Sequence, residues 1–374
     1  MLSWVQHRWT GLWLLMIGLG ALCLFLYGYF PLKYHTGKFG HVNDLPNFIN
    51  SVSIDGGVVY KSAGENSVTL MVIDGLRYDF VTEEYMPFTG KLIKDQLACI
   101  YVCVAEPPTV TMPKIKVDNN VTRHLDKVLA PDETKQPSFD FLVLHYLGLD
   151  HIGHLQGAKS PKIKPKLLEM DEIVKKIYTA MQTWDRDGVL IICGDHGMRD
   201  AGGHGGATPA EVLVPLVLIK SSNFKCPYDA GRGPTVSQVD VAPTVAWLLN
   251  APIPGESAGR VLPSLLPLDM EQHLYLLHVL AEHNKRYLSS HAELYKQIER
   301  AKIQFAHFLA TGQQSAAKIA KEFYEEALDE MAKYLAETTT DFDMFAIGIA
   351  TVLLYLIVGA LLCVTLFSLQ PDSQ

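Results

Sequence analysis

The chain has 374 residues, of which 48% are hydrophobic and 19% charged, and its formal charge is −8. With no basic stripe and no stacking aromatics, that balance excludes a nucleic-acid binder. A mean hydropathy of +0.12 suits a globular domain joined to membrane segments.

Residues 10–30 carry no charge, and about 20 apolar residues suffice to cross a bilayer. No small-x-small site follows, so residues 1–33 read as an uncleaved signal anchor rather than a removed leader. Residues 34–64 form a polar linker. Within 65–260, apolar runs at 67–73, 98–104, 141–147, 189–193 and 212–219 read as strands, with 141–147 and 189–193 as buried parallel ones. Pro215 assigns the last run to an edge or a bulge. Helical patterns at 165–184 and 242–249 alternate with these runs, which points to an α/β domain with a mainly parallel sheet flanked by helices. Residues 261–338 are helical in character, with apolar positions at three-and-four spacing in 269–288, 292–309 and 314–336. Residues 344–369 are a second span, so a transmembrane helix is expected at each end. Arg8 precedes the first span while Lys33 and Lys38 follow it, so the positive-inside rule assigns no orientation. Of the six cysteines, Cys23 and Cys363 lie in the spans and Cys193 in a strand. Cys99 and Cys103 share one extended run and are too far apart to bridge, so no disulfide framework is expected.

The chemistry-bearing residues sit where the strands end. LGLDHIGH (147–154) and GDHGM (194–198) follow two of the apolar runs. They place Asp150, His154, Asp195, His196 and, further on, His204 in turns at the carboxyl ends of strands, where open α/β sheets keep their sites. Carboxylate and imidazole are ligands for Zn²⁺ and similar cations. Asp74-Gly75 ends a third run and adds a third carboxylate. After 98–104 comes PPTVTMP (107–113), whose hydroxyls can ligate a metal and so lose their proton near neutral pH. His145 and His151 flank the ligand candidates and read as groups packed behind them. Asp240 and Thr244, in SQVDVAPT, read as a helix cap.

The order of these pieces resembles the alkaline phosphatase superfamily, and within it the GPI ethanolamine phosphate transferases, in particular those acting on the second mannose. The resemblance rests on VIDGLRYDF (72–80), MPFTGKL (86–92), EPPTVTMPKIK (106–116), VDNNVTRHLD (117–126), LHYLGLDHIGH (144–154), CGDHGM (193–198) and QVDVAPTVAWLLNAPIPGESAG (238–259), and covers roughly 65–260. It implies that Asp74, Thr111, Asp195 and His196 hold one divalent metal and Asp150, His154 and His204 another, both zinc, with Mn²⁺ or Mg²⁺ as alternatives. Thr111, set apart from Thr109 by its spacing to Pro113, would be the nucleophile toward phosphatidylethanolamine. A mannose hydroxyl of a GPI precursor would then accept the phosphoethanolamine group. Lys114, where related nucleotide pyrophosphatases carry Asn, is a candidate substrate contact and argues against nucleotide hydrolysis. The resemblance also implies an endoplasmic reticulum membrane location with the catalytic domain lumenal, both chain ends cytosolic, and a small membrane-protein subunit as a partner. Asn120-Val121-Thr122 would be a usable glycosylation site there.

The chain departs from this family after the nucleophile motif, where Lys116 runs directly into VDNN, poor helix formers that cannot extend a helix. At least one strand and its crossover are expected to be missing between 116 and 117. The C-terminus has a single span where the family has many. Two alternatives follow: a metal-dependent phosphodiesterase with water as acceptor, or a non-catalytic membrane partner of the transferase.

Overall fold

Runs of β-branched and aliphatic residues bounded by Gly, Asp and Pro give the strands of the central sheet. The computed structural model describes residues 2–29, 45–55, 66–105, 117–222, 224–255, 257–262, 268–285, 292–339 and 343–368. In chain order, helix α1 (Leu2–Tyr29) precedes a small hairpin of β1 (Phe48–Ile49) and β2 (Val52–Ser53). The α/β part comprises β3 (Asn66–Ile73), α2 (Pro87–Lys94), β4 (Ala98–Val104), α3 (Val117–Thr122), α4 (Leu125–Leu129), β5 (Phe141–Tyr146) and α5 (Gly148–Gln156). It continues through α6 (Ile163–Met181), β6 (Asp187–Cys193), α7 (Pro209–Val212), β7 (Leu213–Lys220), β8 (Val236–Ser237) and α8 (Val241–Leu248). Then come α9 (Met270–Asn284), α10 (Ala292–Thr311), α11 (Gln314–Thr339) and α12 (Met344–Ser368).

The six-stranded sheet has the order β5-β3-β6-β7-β4-β8. β3 runs parallel to β5 and β6, β8 runs parallel to β4, and β7 is antiparallel to both its neighbours. The sheet is therefore mixed, with β7 alone reversed. That reversal has a consequence for function. β7 starts from the edge at which β6 ends, so the 194–212 connection both begins and finishes there.

Pro215 was expected at an edge or bulge, but β7 lies inside the sheet. The Pro215 carbonyl accepts from Gly194 N at 3.3 Å. Its missing N–H faces the same way, past the last β6 pair, Cys193 with Leu216, so no ladder bond is lost. A second correction concerns β5. It is an edge strand with Leu144 and Tyr146 buried and Phe141, Val143 and His145 exposed, not a strand buried on both faces. A third concerns 117–122, which is helical despite its poor formers. Tertiary bonds described below outweigh a propensity deficit of a few tenths of a kcal/mol per residue.

One face of the sheet is covered by α6. Its residues Ile163, Leu167, Met170, Val174, Ile177 and Met181, at four-and-three spacing, are all buried in one cluster with Met71, Ile73, Leu144 and Ile192. Each such side chain contributes about 1.5–3 kcal/mol when removed from water. On the opposite face Val189, Ile191, Tyr101, Val214 and Leu216 are buried as well. Asp240 and Thr244 form the expected cap. Asp240 pairs with Ser237 in a capping box and Thr244 Oγ1 donates to the Asp240 carbonyl at 2.6 Å. In α9–α11, His278 Nδ1 lies 3.0 Å from the Tyr324 hydroxyl, both buried.

Cys99 and Cys226, 127 positions apart, form a disulfide, which corrects the expectation of none. Cys226 carries no local signal that would pair it with β4.

The chain forms two compact units, 38–328 and 1–37 with 329–374. In the second, α1 and α12 pack antiparallel. The Gly28 carbonyl accepts from Asp343 N at 3.0 Å, and a Cβ at Gly18 would touch Ile357. Among the described residues one helix, Met344–Cys363, is long and apolar enough to cross a membrane, and Trp13–Gly28 is a shorter apolar helix.

Candidate metal centre

Asp74 follows β3, and Asp195 and His196 follow β6. The parallel register pairs Val72 with Cys193, so the three residues leave the sheet side by side. His196 Nε2 lies 3.3 Å from Asp74 Oδ1 and 3.6 Å from Asp195 Oδ2. Asp195 Oδ1 accepts from Gly75 N (3.1 Å) and His196 N (2.8 Å), which leaves Oδ2 free for the shared space. His196 Nδ1 is 2.9 Å from the Gly197 carbonyl, a bond that fixes the ring and aims Nε2 inward.

The second group comes from a different kind of element. Asp150 and His154 were expected in a turn, but they occupy α5. Four apart, they share one helix face. His204 arrives on the connection from β6 to β7. His154 Nε2 lies 3.3 Å from Asp150 Oδ2, His204 Nε2 lies 3.5 Å from Asp150 Oδ1, and the two imidazole nitrogens are 2.9 Å apart. In each trio the ligand-type atoms lie within 4.8 Å of one another. The His196 and His204 rings stack at 3.7 Å, linking the trios.

These residues fit divalent cations on their own geometry. Asp74 Oδ1 and Asp150 Oδ1 are buried and neither has a hydrogen-bond partner among the described residues. A buried carboxylate oxygen without a partner is costly, and a cation removes that cost. Burial pushes the Asp74 carboxyl above its ordinary range; the hydrogen bond to His145 counters this, and Asp195 and Asp150 push the same way as burial. Burial and the neighbouring His196 hold His204 low, which favours the neutral imidazole that binds metals.

His145 Nε2 lies 3.4 Å from Asp74 Oδ2, so it touches the carboxylate from behind, as expected. His151 is half-buried, and its Nδ1 has no hydrogen-bond partner among the described residues. Asn120 is exposed on α3. Thr111, Thr109 and Lys114 lie outside the described residues. β4, which precedes them, ends at the same sheet edge as β3, β5 and β6.

The sequence of the region matches known proteins. The model of the Type I phosphodiesterase / nucleotide pyrophosphatase family matches residues 114–216. The human GPI ethanolamine phosphate transferase 2, catalytic subunit, is 35% identical over 293 residues, covering 57% of this chain and 29% of its own. The Candida albicans GPI ethanolamine phosphate transferase 2 is 30% identical over 351 residues (71% of this chain, 38% of that protein). The Schizosaccharomyces pombe protein of the same name is 41% identical over 169 residues (41% and 22%). The chain is a relative of the GPI ethanolamine phosphate transferases 2. It spans well under half the length of these transferases. The 293 positions aligned with the human transferase exceed the residues this chain brings to them, 57% of 374, so that relative carries internal stretches this chain lacks. A protein in the alkaline phosphatase superfamily from Vibrio parahaemolyticus superposes with a TM-score of 0.34 at 11% identity, over 56% of this chain and 71% of its own, a score too low to carry weight.

Three residues around the centre escaped the sequence reading. Arg77 donates to the Met198 carbonyl (3.2 Å) and to Asp200 (2.8 Å), and grips Asp79 with two bonds. It thereby ties the loop after β3 to the loop bearing His196 and His204. Gln238 donates to the Asp195 carbonyl at 2.8 Å. Glu211, 2% exposed, accepts from Gly206 N and Thr208 Oγ1 and closes the His204 loop. An Arg three positions after Asp74 was a visible signal. For Gln238 and Glu211 there was none.

Proposed function

We propose that the chain transfers phosphoethanolamine from phosphatidylethanolamine to a mannose, the second, of a GPI-anchor precursor. The observation that carries this is the pair of adjacent three-residue clusters, each with a buried carboxylate oxygen that has no hydrogen-bond partner among the described residues, at the sheet edge where β4 also ends. Asp74, Asp195 and His196, with Thr111, would hold one ion, and Asp150, His154 and His204 the other; zinc fits the nitrogen and oxygen donors. Bound there, such ions would supply Lewis acidity to a phosphoryl group.

Thr111 Oγ would form a bond to phosphorus as the bond to the diacylglycerol oxygen breaks. The resulting phosphoethanolamine-threonine ester would pass its group to the mannose hydroxyl and regenerate Thr111. His145 would hold Asp74, and Arg77 would hold the loop that carries the histidines, so that the ligands need no rearrangement as charge develops.

The reading includes an endoplasmic reticulum membrane location, with 38–328 lumenal. The Cys99–Cys226 disulfide supports an oxidising compartment, and the exposed Asn120 of the sequon is compatible with it. Both chain ends are cytosolic by resemblance. A small membrane-protein subunit is a further partner by resemblance alone.

The test uses the full chain in detergent with ethanolamine-labelled phosphatidylethanolamine. Wild type should acquire a phosphoethanolamine group on Thr111, detectable by mass. Thr111→Ala should acquire none while keeping its metal, since three protein ligands remain at that ion. Full transfer by Thr111→Ala would sink the nucleophile assignment. Release of free phosphoethanolamine at the same rate with and without acceptor would favour the phosphodiesterase reading.

A further inference from the structure

Helix α5 has no cap of its own. Leu147 precedes it and offers no side-chain acceptor, so its first amides must find partners elsewhere. Asp118, on α3 and 1% exposed, supplies them. Its Oδ1 accepts from Leu147 N (2.9 Å) and Gly148 N (3.3 Å), and its Oδ2 accepts from Gly148 N (3.1 Å). Lys166 Nζ, from α6, lies 2.7 Å from the same Oδ2 and 2.9 Å from Glu169. A carboxylate at this end of a helix also opposes the positive end of the macrodipole. A Cβ at Gly148 would lie 2.4 Å from Asp118 Oδ2 and 2.6 Å from Lys166 Cε. The carboxylate can seat there because residue 148 is glycine.

The geometry points to Asp118, seated by Gly148 and Lys166, as the positioning residue of the second metal cluster. It sets where α5 begins, and α5 carries Asp150, two residues beyond the capped amide, and His154 one turn later. Any shift or rotation of the helix start moves both groups relative to His204, whose position comes from a separate loop. Asp118 touches none of the three ligands and would act only through the helix. The inference rests on the metal-centre reading above.

The experiment is Zn²⁺ titration of the metal-stripped full chain by calorimetry, with the unfolding temperature of each stripped form measured in parallel. Wild type should take two ions. Asp118→Asn should hold one ion as wild type does and bind the other about 10–100-fold more weakly, the usual scale for groups that orient ligands. Gly148→Ala, which crowds the carboxylate without removing it, should weaken the same ion and provides the reading if Asp118→Asn does not fold. Asp150→Asn identifies which ion that is. Folded variants that bind both ions as wild type does, or that weaken both equally, would overturn the assignment while leaving the metal centre standing. Wild type that binds no ion would overturn the metal centre itself.

Discussion

The two clusters reach the same sheet edge by different physical means. Asp74, Asp195 and His196 stand on the ends of paired interior strands, so the β3–β6 register alone brings them together. Asp150, His154 and His204 stand on a short helix and a glycine-containing loop. Each support is held by a buried carboxylate, Asp118 from a distant helix for α5 and Glu211, within the same connection, for the loop. Strand pairing positions a residue through many shared ladder bonds, whereas a tertiary cap does so through two or three. The first cluster should therefore tolerate changes in its surroundings, and the second should not.

The largest expected effect comes from deleting a member of the first cluster. Asp74→Asn should cost about one ion per chain by elemental analysis. It should also lower cleavage of a generic phosphodiester by about 100-fold or more, the scale for losing a preorganised electrostatic group. Unchanged metal content would break the comparison at its root.

Next comes the joint between the clusters. Gly75 has a φ of +74°, and a Cβ there would meet Met198 Cε at 2.8 Å and Asp150 Cα at 3.1 Å. Gly75→Ala should destabilise the fold by about 1–3 kcal/mol through overpacking, in addition to about 1–2 kcal/mol for the left-handed backbone. Gly205, with a φ of +107° and no described residue within 4 Å of a Cβ, supplies the contrast, since Gly205→Ala should show the backbone cost alone. Urea denaturation of both variants separates crowding from strain.

The smallest effect lies away from both clusters. Burial holds the His278 imidazole down at about 3, against an ordinary 6.5, with Lys302 and Lys285 adding to the effect. Below pH 6.5 the unfolded chain takes up a proton that the native one refuses. Stability is thus complete above 6.5 and declines as pH falls toward 3. Denaturation midpoints followed from pH 7 to pH 4 should fall, and His278→Gln should flatten that slope. An identical slope in the variant would assign the acid sensitivity to other groups, the crowded carboxylates of the clusters among them.

Much of this was legible in the chain. The strands at 98–104 and 189–193 announced themselves because runs of Val, Ile, Leu and Cys between turn residues have few other ways to be buried. The residues of both clusters were readable for a related reason: short polar motifs immediately after such runs must emerge at one sheet edge. The half-exposure of β5 was not readable, since FLVLHY is apolar enough for either an interior or an edge strand. Nor was the helical state of 117–122, whose residues favour it only once Asp118 has α5 to bond.

By itself, the sequence determined which residues could carry chemistry and that they would gather where parallel strands end, because side-chain type and hydrophobic period are local properties. Only the tertiary structure decided the reversal of β7, the Cys99–Cys226 bridge and the seating of Asp118 beneath α5. Each depends on which distant segments become neighbours. That choice is made by the sum of packing across the whole domain, which no short window of sequence contains.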